Sequence, residues 1–372
     1  MKFIVFAEDW GSHPSSTQHL FKELAKNNHI LWINSIGMRK PTFRLNDLKR
    51  VFNKVMQIFN RSNSEAKNKL PNNMQVFKLP ILPWHDNALV RAFNKRVFAK
   101  YLKDTNIQEP ITYWLSVPVA EYLITLKSAD KLIYYCGDDF SALAGVDAKM
   151  VAPFEQSLIK KAHLIYVISQ LLKNKMPAHK TKMLTHGVNF DLFSSNVAKA
   201  PEISTIYEPI IGFYGSINAW LDIALLTALA ASRPQYKIVL IGDLTIPIPQ
   251  LLQFKNVIHI PAVNHNRLVE FSSHWDVSIL PFVNNQQIRA CDPLKLKEYL
   301  AVGKPIVATR FPAVERFQPQ IFIAKTQDEF IAHIDKAINL DEPTLSALKT
   351  SQSDLAKQHS WSSKALSVEK TF

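Results

Sequence analysis

Glycine is scarce in this chain, at 9 of 372 residues. Phosphate-binding loops of the dinucleotide and P-loop types need clustered glycines. Neither G-x-G-x-x-G after the first apolar run nor G-x-x-x-x-G-K-[ST] occurs. H-E-x-x-H and G-x-S-x-G are missing too, which excludes the commonest zinc-protease and α/β-hydrolase sites. Two cysteines, Cys136 and Cys291, are too few for a disulfide framework or a cysteine zinc site, and they fit a reducing compartment. Long-period repeats are missing, which excludes a solenoid. The longest apolar stretch, "IALLTALAA" at 223–231, is about half of a membrane span. "MKFIVFAEDW" lacks the apolar run of about 7–15 residues and the cleavage site of a signal peptide. A soluble or peripheral protein is expected.

What is present is an uneven charge. Residues 1–190 hold 27 Lys and Arg against 14 Asp and Glu, whereas 191–372 hold 17 of each, so the first part carries the whole net charge of +13. Within it, 39–69 hold nine Lys and Arg against Asp47 and Glu65. "FNKRVFAKYLK" at 93–103 interleaves basic residues with Phe93, Val97, Phe98 and Tyr101. Such faces suit an anionic membrane surface. Nucleic acid would match the charge, but no recognition module accompanies it, and none is expected as a partner.

Apolar runs at 2–7, 29–35, 111–116, 131–136 and 162–169 read as buried strands separated by helical patterns. The pattern recurs at 209–216, 236–243, 256–262, 276–282, 304–310 and 321–326, with helices at 219–232, 292–302 and 326–339. Strands apolar on both faces, alternating with helices, predict parallel sheets covered on both sides. The expected class is α/β, with two doubly wound Rossmann-like domains facing across a cleft. The first domain spans 1–190, a linker 191–208, the second domain 209–342. Helices at 343–372 follow, free to pack back on the first domain.

Open parallel sheets bind ligands at the carboxyl ends of their strands, and candidate residues cluster there. "YYCGDDFS" (134–141) places Asp138 and Asp139 after a strand and a glycine, where one carboxylate can serve as a general base. "EDWGSHP" (8–14) places Glu8, Asp9 and His13 in the exit loop of the first strand, for acceptor binding or proton handling. "LTHGVN" (184–189) reads as a strand followed by His-Gly, and His186 there is a further cleft candidate. In "GFYGSINAWLD" (212–222), Gly215 and Ser216 form a turn whose N–H groups suit a diphosphate, and Asp222 falls inside the next helix. "DPLKLKEYLAVGKPIVAT" (292–309) reads as a helix between Asp292, a natural cap, and Gly303, a natural stop, with Pro293 as first helical residue. Lys295 and Glu298 share one face of it. Lysine can meet phosphate as a point charge, and glutamate can accept from both hydroxyls of a ribose diol.

That last run resembles the donor-binding segment of GT-B glycosyltransferases, especially the family 4-like enzymes of capsule, teichuronic acid and exopolysaccharide synthesis. "YYCGDDF", "THGV", "GFYGSINAWLD" and "DVSILPF" extend the resemblance in the same order. It implies a donor site with Glu298 on the ribose, Lys295 on the diphosphate and Gly215 and Ser216 beside the phosphates. It also implies Asp138 or Asp139 facing the acceptor. Many family members carry two glutamates eight residues apart. The first position here is Ala290, so Arg289 or Asp292 would take over its contact with the sugar. The resemblance further implies a nucleotide-diphosphate sugar as substrate, with UDP the expected nucleotide, no metal or other cofactor, and a glycan or lipid-linked acceptor. It places the enzyme on the cytoplasmic face of the plasma membrane, docked through its basic region. A nucleotide-sugar epimerase of the same fold and a non-enzymatic basic adaptor are the alternatives.

Overall fold

A computed structural model describes residues 1–12, 15–38, 70–105, 107, 110–141, 143 and 146–372. The chain forms two compact units, Met1–Thr185 and His186–Phe372.

Among the described residues of the first unit seven strands pair in parallel: β1 (Lys2–Phe6), β2 (His29–Ile33), β3 (Met74–Phe77), β4 (Thr112–Leu115), β5 (Lys131–Cys136), β6 (Leu164–Val167) and β7 (Thr181–Met183). Their order is β3-β2-β1-β4-β5-β6-β7. Central strands such as β4 are buried on both faces, as their unbroken apolar runs predict. Aromatic rings fill the space above the sheet, with Phe21 edge-on to Trp114 at 5.2 Å. Ser15 caps the helix Ser16–Leu24 by accepting from the Gln18 N–H. β7 ends at Met183, so "LTHGVN" lies beyond the strand rather than on it.

The second unit contains β8 (Ile210–Tyr214), β9 (Lys237–Ile241), β10 (Val257–Ile260), β11 (Val277–Leu280), β12 (Ile306–Thr309) and β13 (Phe322–Ala324). They form a parallel sheet in the order β10-β9-β8-β11-β12-β13. The chain therefore winds outward from β8 in one direction, then returns to continue from β11 in the other. The gap between the carboxyl ends of β8 and β11 is the topological switch point, where such sheets bind ligands. In β8, Gly212 is required by packing: a Cβ there would stand 1.9 Å from the Trp275 ring.

Helix Leu294–Val302 lies between β11 and β12, and helix Glu342–Gln358, the last but one of the chain, packs along it. Gly303 ends it in the left-handed conformation, φ +79°, as the sequence predicts. Two expectations at helix starts are corrected. Helix Ile223–Ser232 begins later than 219, because Asp222 is its cap and accepts the Leu225 N–H at 2.9 Å. Asp292 caps nothing; helix Leu294–Val302 starts without a side-chain cap, and Pro293 occupies the flanking position. Among the described residues no helix is long and apolar enough to cross a membrane.

Candidate functional site

The second unit concentrates its chemistry at the switch point. β8 opens into Gly215 (φ +131°) and β9 into Gly242 (φ +143°), conformations that favour glycine. The two turns lie against each other: a Cβ on Gly242 would sit 2.1 Å from the Gly215 carbonyl oxygen. A Cβ on Gly215 would come within 2.5 Å of the Lys295 Nζ. Glycine here makes room for the lysine ammonium. The turn itself offers less than its sequence suggests. The Gly215 N–H donates to Ile241 O at 2.8 Å, and the Ile217 N–H to Asp243 O at 2.9 Å. No helix starts until Ile223. Two of the turn's N–H groups are thus spent within the chain, and the charged group beside the turn is Lys295.

The Lys295 ammonium lies 4.5 Å from the Phe213 ring centroid and 5.4 Å from that of Phe282, and no described carboxylate pairs with it. Burial pushes its pKa down to about 8, against the pull of Glu298 and Cys291. A lysine held on aromatic faces and left without an acid is ready for an incoming anion.

Glu298 is 3% exposed. Its Oε2 accepts from the Tyr214 hydroxyl at 2.7 Å, and its Oε1 lies 2.7 Å from His265 Nε2. The Tyr299 hydroxyl oxygen accepts the Tyr214 N–H at 3.2 Å. Ser216 belongs to the same turn, with Asn218 Nδ2 donating to its hydroxyl at 3.1 Å. Gly215, Ser216, Lys295 and Glu298 are thus brought together. Tyr214, His265, Phe213 and Phe282 complete the group, and sequence reasoning missed them in this role.

Asp292 and Arg289 lie differently. Asp292 is 2% exposed. Its Oδ1 accepts from Lys297 Nζ and the Arg316 guanidinium, and its Oδ2 accepts the His186 N–H at 2.9 Å. Burial alone would raise its pKa, but Lys297 and Arg316 prevail and hold it at about 2. His186 belongs to this buried cluster in the second unit, where desolvation pushes its imidazole down to about 4 and keeps it neutral. Arg289 is exposed, with Nε donating to Asn284 Oδ1 at 2.8 Å. It lines a cavity of about 620 Å³ with Asp222, Phe282, Thr309 and Lys325.

In the first unit the paired aspartates separate clearly. Asp139 is engaged: its Oδ2 lies 2.6 Å from Lys175 Nζ and its Oδ1 accepts the Ser141 hydroxyl at 2.6 Å. The Asp138 carboxylate receives no hydrogen bond from a described residue; its backbone oxygen accepts from Cys136 Sγ. The protein packed around Asp138, then the charge of Asp139, pushes its pKa up to about 6, although solvent at its exposed edge tempers the push. Glu8, after β1, accepts the Ser15 hydroxyl, and burial raises its pKa. Asp9 Oδ1 accepts the Ser35 N–H at 3.0 Å. His13 and the basic stretch 39–69 lie outside the described residues. Among the described residues no group of three or more His, Cys, Asp and Glu side chains is placed to hold a metal ion.

No family model matches the chain. It is 27% identical over 275 residues to a Bacillus subtilis (strain 168) protein named "Putative teichuronic acid biosynthesis glycosyltransferase TuaH", covering 67% of this chain and 68% of that one. Anabaena HepE, solved with UDP and glucose, superposes with a TM-score of 0.67 at 13% identity, over 100% of this chain and 99% of that one. WaaG, a glycosyltransferase of lipopolysaccharide biosynthesis, gives 0.62 at 12% identity, over 98% of each chain. These comparisons agree with the resemblance carried by the motifs, and the fold is GT-B.

Proposed function

We propose that the chain is a glycosyltransferase that moves a sugar from a nucleotide-diphosphate sugar, with UDP as the nucleotide, to a glycan or lipid-linked acceptor of a surface polysaccharide. The observation that carries this is Lys295, a cation with no acid partner among the described residues, set against Gly215 three residues before Glu298. Lys295 would take the diphosphate and neutralise the charge that grows on it as the sugar departs. Glu298 would take the ribose diol. The relative's name and the two glycosyltransferase-type neighbours support the reaction class.

Asp138 is the better base of the aspartate pair, because its carboxylate is open and its pKa is raised toward neutrality. It would accept the proton of the attacking hydroxyl, while Asp139 stays held by Lys175.

Membrane docking belongs to the same reading. Helix Ala88–Asp104 buries only Asn94 and Phe98. Trp84, Leu89 and Phe93 are exposed before and along its first turns, and Arg96, Lys100 and Lys103 continue outward toward its end. An apolar end followed by cations suits the headgroup region of an anionic bilayer at the inner face of the plasma membrane.

The test is transfer itself. Purified chain is incubated with labelled UDP-sugars and bacterial lipid-linked glycan, and labelled lipid product is measured with released UDP. Product with one donor supports the proposal. Conversion of the donor to its epimer without acceptor, or turnover of none of the donors, counts against it.

A further inference from the structure

Glu298 shows more than a donor site needs: both of its oxygens are already held. The Tyr214 hydroxyl donates to Oε2, and His265 Nε2 stands at Oε1, each at 2.7 Å. Tyr214 sits at the end of β8, wedged edge-on to Tyr299 at 4.9 Å and beside Trp275 at 5.8 Å, so core packing fixes its ring. His265 opens the short turn His265–Arg267 after β10, edge-on to Phe193 at 5.4 Å. Two separate segments of the chain thus converge on a carboxylate carried by a third. Nothing in the local folding of helix Leu294–Val302 demands it, because that helix is already anchored through Asp292 and Lys297.

A carboxylate offers about four lone-pair positions. Tyr214 and His265 use one on each oxygen, which leaves one on each for a ligand. A vicinal diol presents two neighbouring hydroxyl donors and fills both. With its rotamers fixed in the folded chain, Glu298 loses little freedom when such a ligand arrives.

We infer that Tyr214 and His265 are positioning residues that hold Glu298 as a two-oxygen acceptor and so set a preference for ribose over deoxyribose nucleotides. The inference rests on the donor reading of the second unit. It predicts an effect on discrimination, not only on affinity, because a misplaced carboxylate reaches one hydroxyl as easily as none.

The experiment is calorimetric titration of the full chain with UDP and with 2′-deoxy-UDP. The wild type prefers UDP by about tenfold or more, as a site built to hydrogen-bond a hydroxyl rejects the analogue that lacks it. His265→Ala and Tyr214→Phe each reduce that preference to about twofold. His265→Gln, whose amide can donate in place of the imidazole, restores most of it. Local loosening of the fold weakens both nucleotides alike and leaves the ratio standing. An unchanged ratio in His265→Ala and Tyr214→Phe overturns the inference while the donor reading survives. A wild type that binds UDP without preference, or does not bind it, overturns both.

Discussion

Lys295 and Lys297 lie two residues apart on one helix and face opposite surroundings. Lys297 is fully buried and paired with Asp292, which Arg316 and the His186 N–H also engage. Lys295 rests on two aromatic rings beside Gly215 and has no described acid of its own. Asp138 and Asp139 repeat the contrast in the first unit, one open and one held by Lys175. In each case one charge is held by a partner, and its neighbour has none among the described residues, which is the contrast on which the proposed function rests. Residue type and proximity in sequence are the same in both pairs, so only tertiary structure separates them.

That contrast can be broken at several points. The largest effect is expected in the aspartate pair. Asp138→Asn should lower the transfer rate by roughly 10²–10⁴-fold, the usual worth of a positioned general base. Asp139→Asn should lower it far less. Equal losses, measured as initial rates at saturating donor, would remove the distinction between the two. The rate of the wild type should also rise as pH increases through about 6, because a raised carboxylate pKa means the active, deprotonated form appears only above it. That acid limb should vanish in Asp138→Asn.

Next come the lysines. Lys295→Met should reduce kcat by roughly 10²–10³-fold, as for loss of a group that stabilises departing charge, with the melting temperature nearly unchanged. Lys297→Met should do the reverse. Removing one partner of a buried pair costs about 3–5 kcal/mol, and Arg316 retains part of the compensation, so the low end is expected by urea unfolding. Asp292 adds a pH signature of its own. Its folded pKa lies below the ordinary carboxylate value, so its stabilisation is present above about 3.8 and drains away as pH falls toward about 2. Asp292→Asn should flatten stability across that acid range.

The smallest effect is a titration. The Lys295 pKa in the free chain is lowered to about 8, so its charge is full below that value and lost above it. UDP affinity should weaken as pH climbs from 7 to 9, and Lys295→Arg, which stays charged, should not show the decline.

Most of the fold was legible because its strands are buried on both faces and read as plain apolar runs. β3 (Met74–Phe77), which was overlooked, and β7 (Thr181–Met183), which was read a few residues late within "LTHGVN", lie at the edges of the first sheet. They are short and carry Gln75 and Lys182 outward, so periodicity has little to show. At the candidate site, spacing was enough to put Lys295 and Glu298 on one face of a helix, but their proposed roles came from the family resemblance and not from the spacing. His265 and Tyr214 were not legible: they reach Glu298 from 33 and 84 residues away, through a loop and a strand end. Asp292 misled for a related reason. Asp-Pro before a helix is the local signature of a cap, but Lys297 and Arg316 supply stronger partners once the chain has folded.

The most direct check of the donor site is calorimetric titration of UDP into the wild type, Lys295→Met and Lys297→Met at pH 7 and 25 °C, with a thermal melt of each. The account predicts binding by the wild type, at least tenfold weaker binding by Lys295→Met at an unchanged melting temperature, and near-normal binding by folded Lys297→Met at a lowered one. Equal affinity of Lys295→Met and wild type, or a wild type that does not bind UDP, would contradict it.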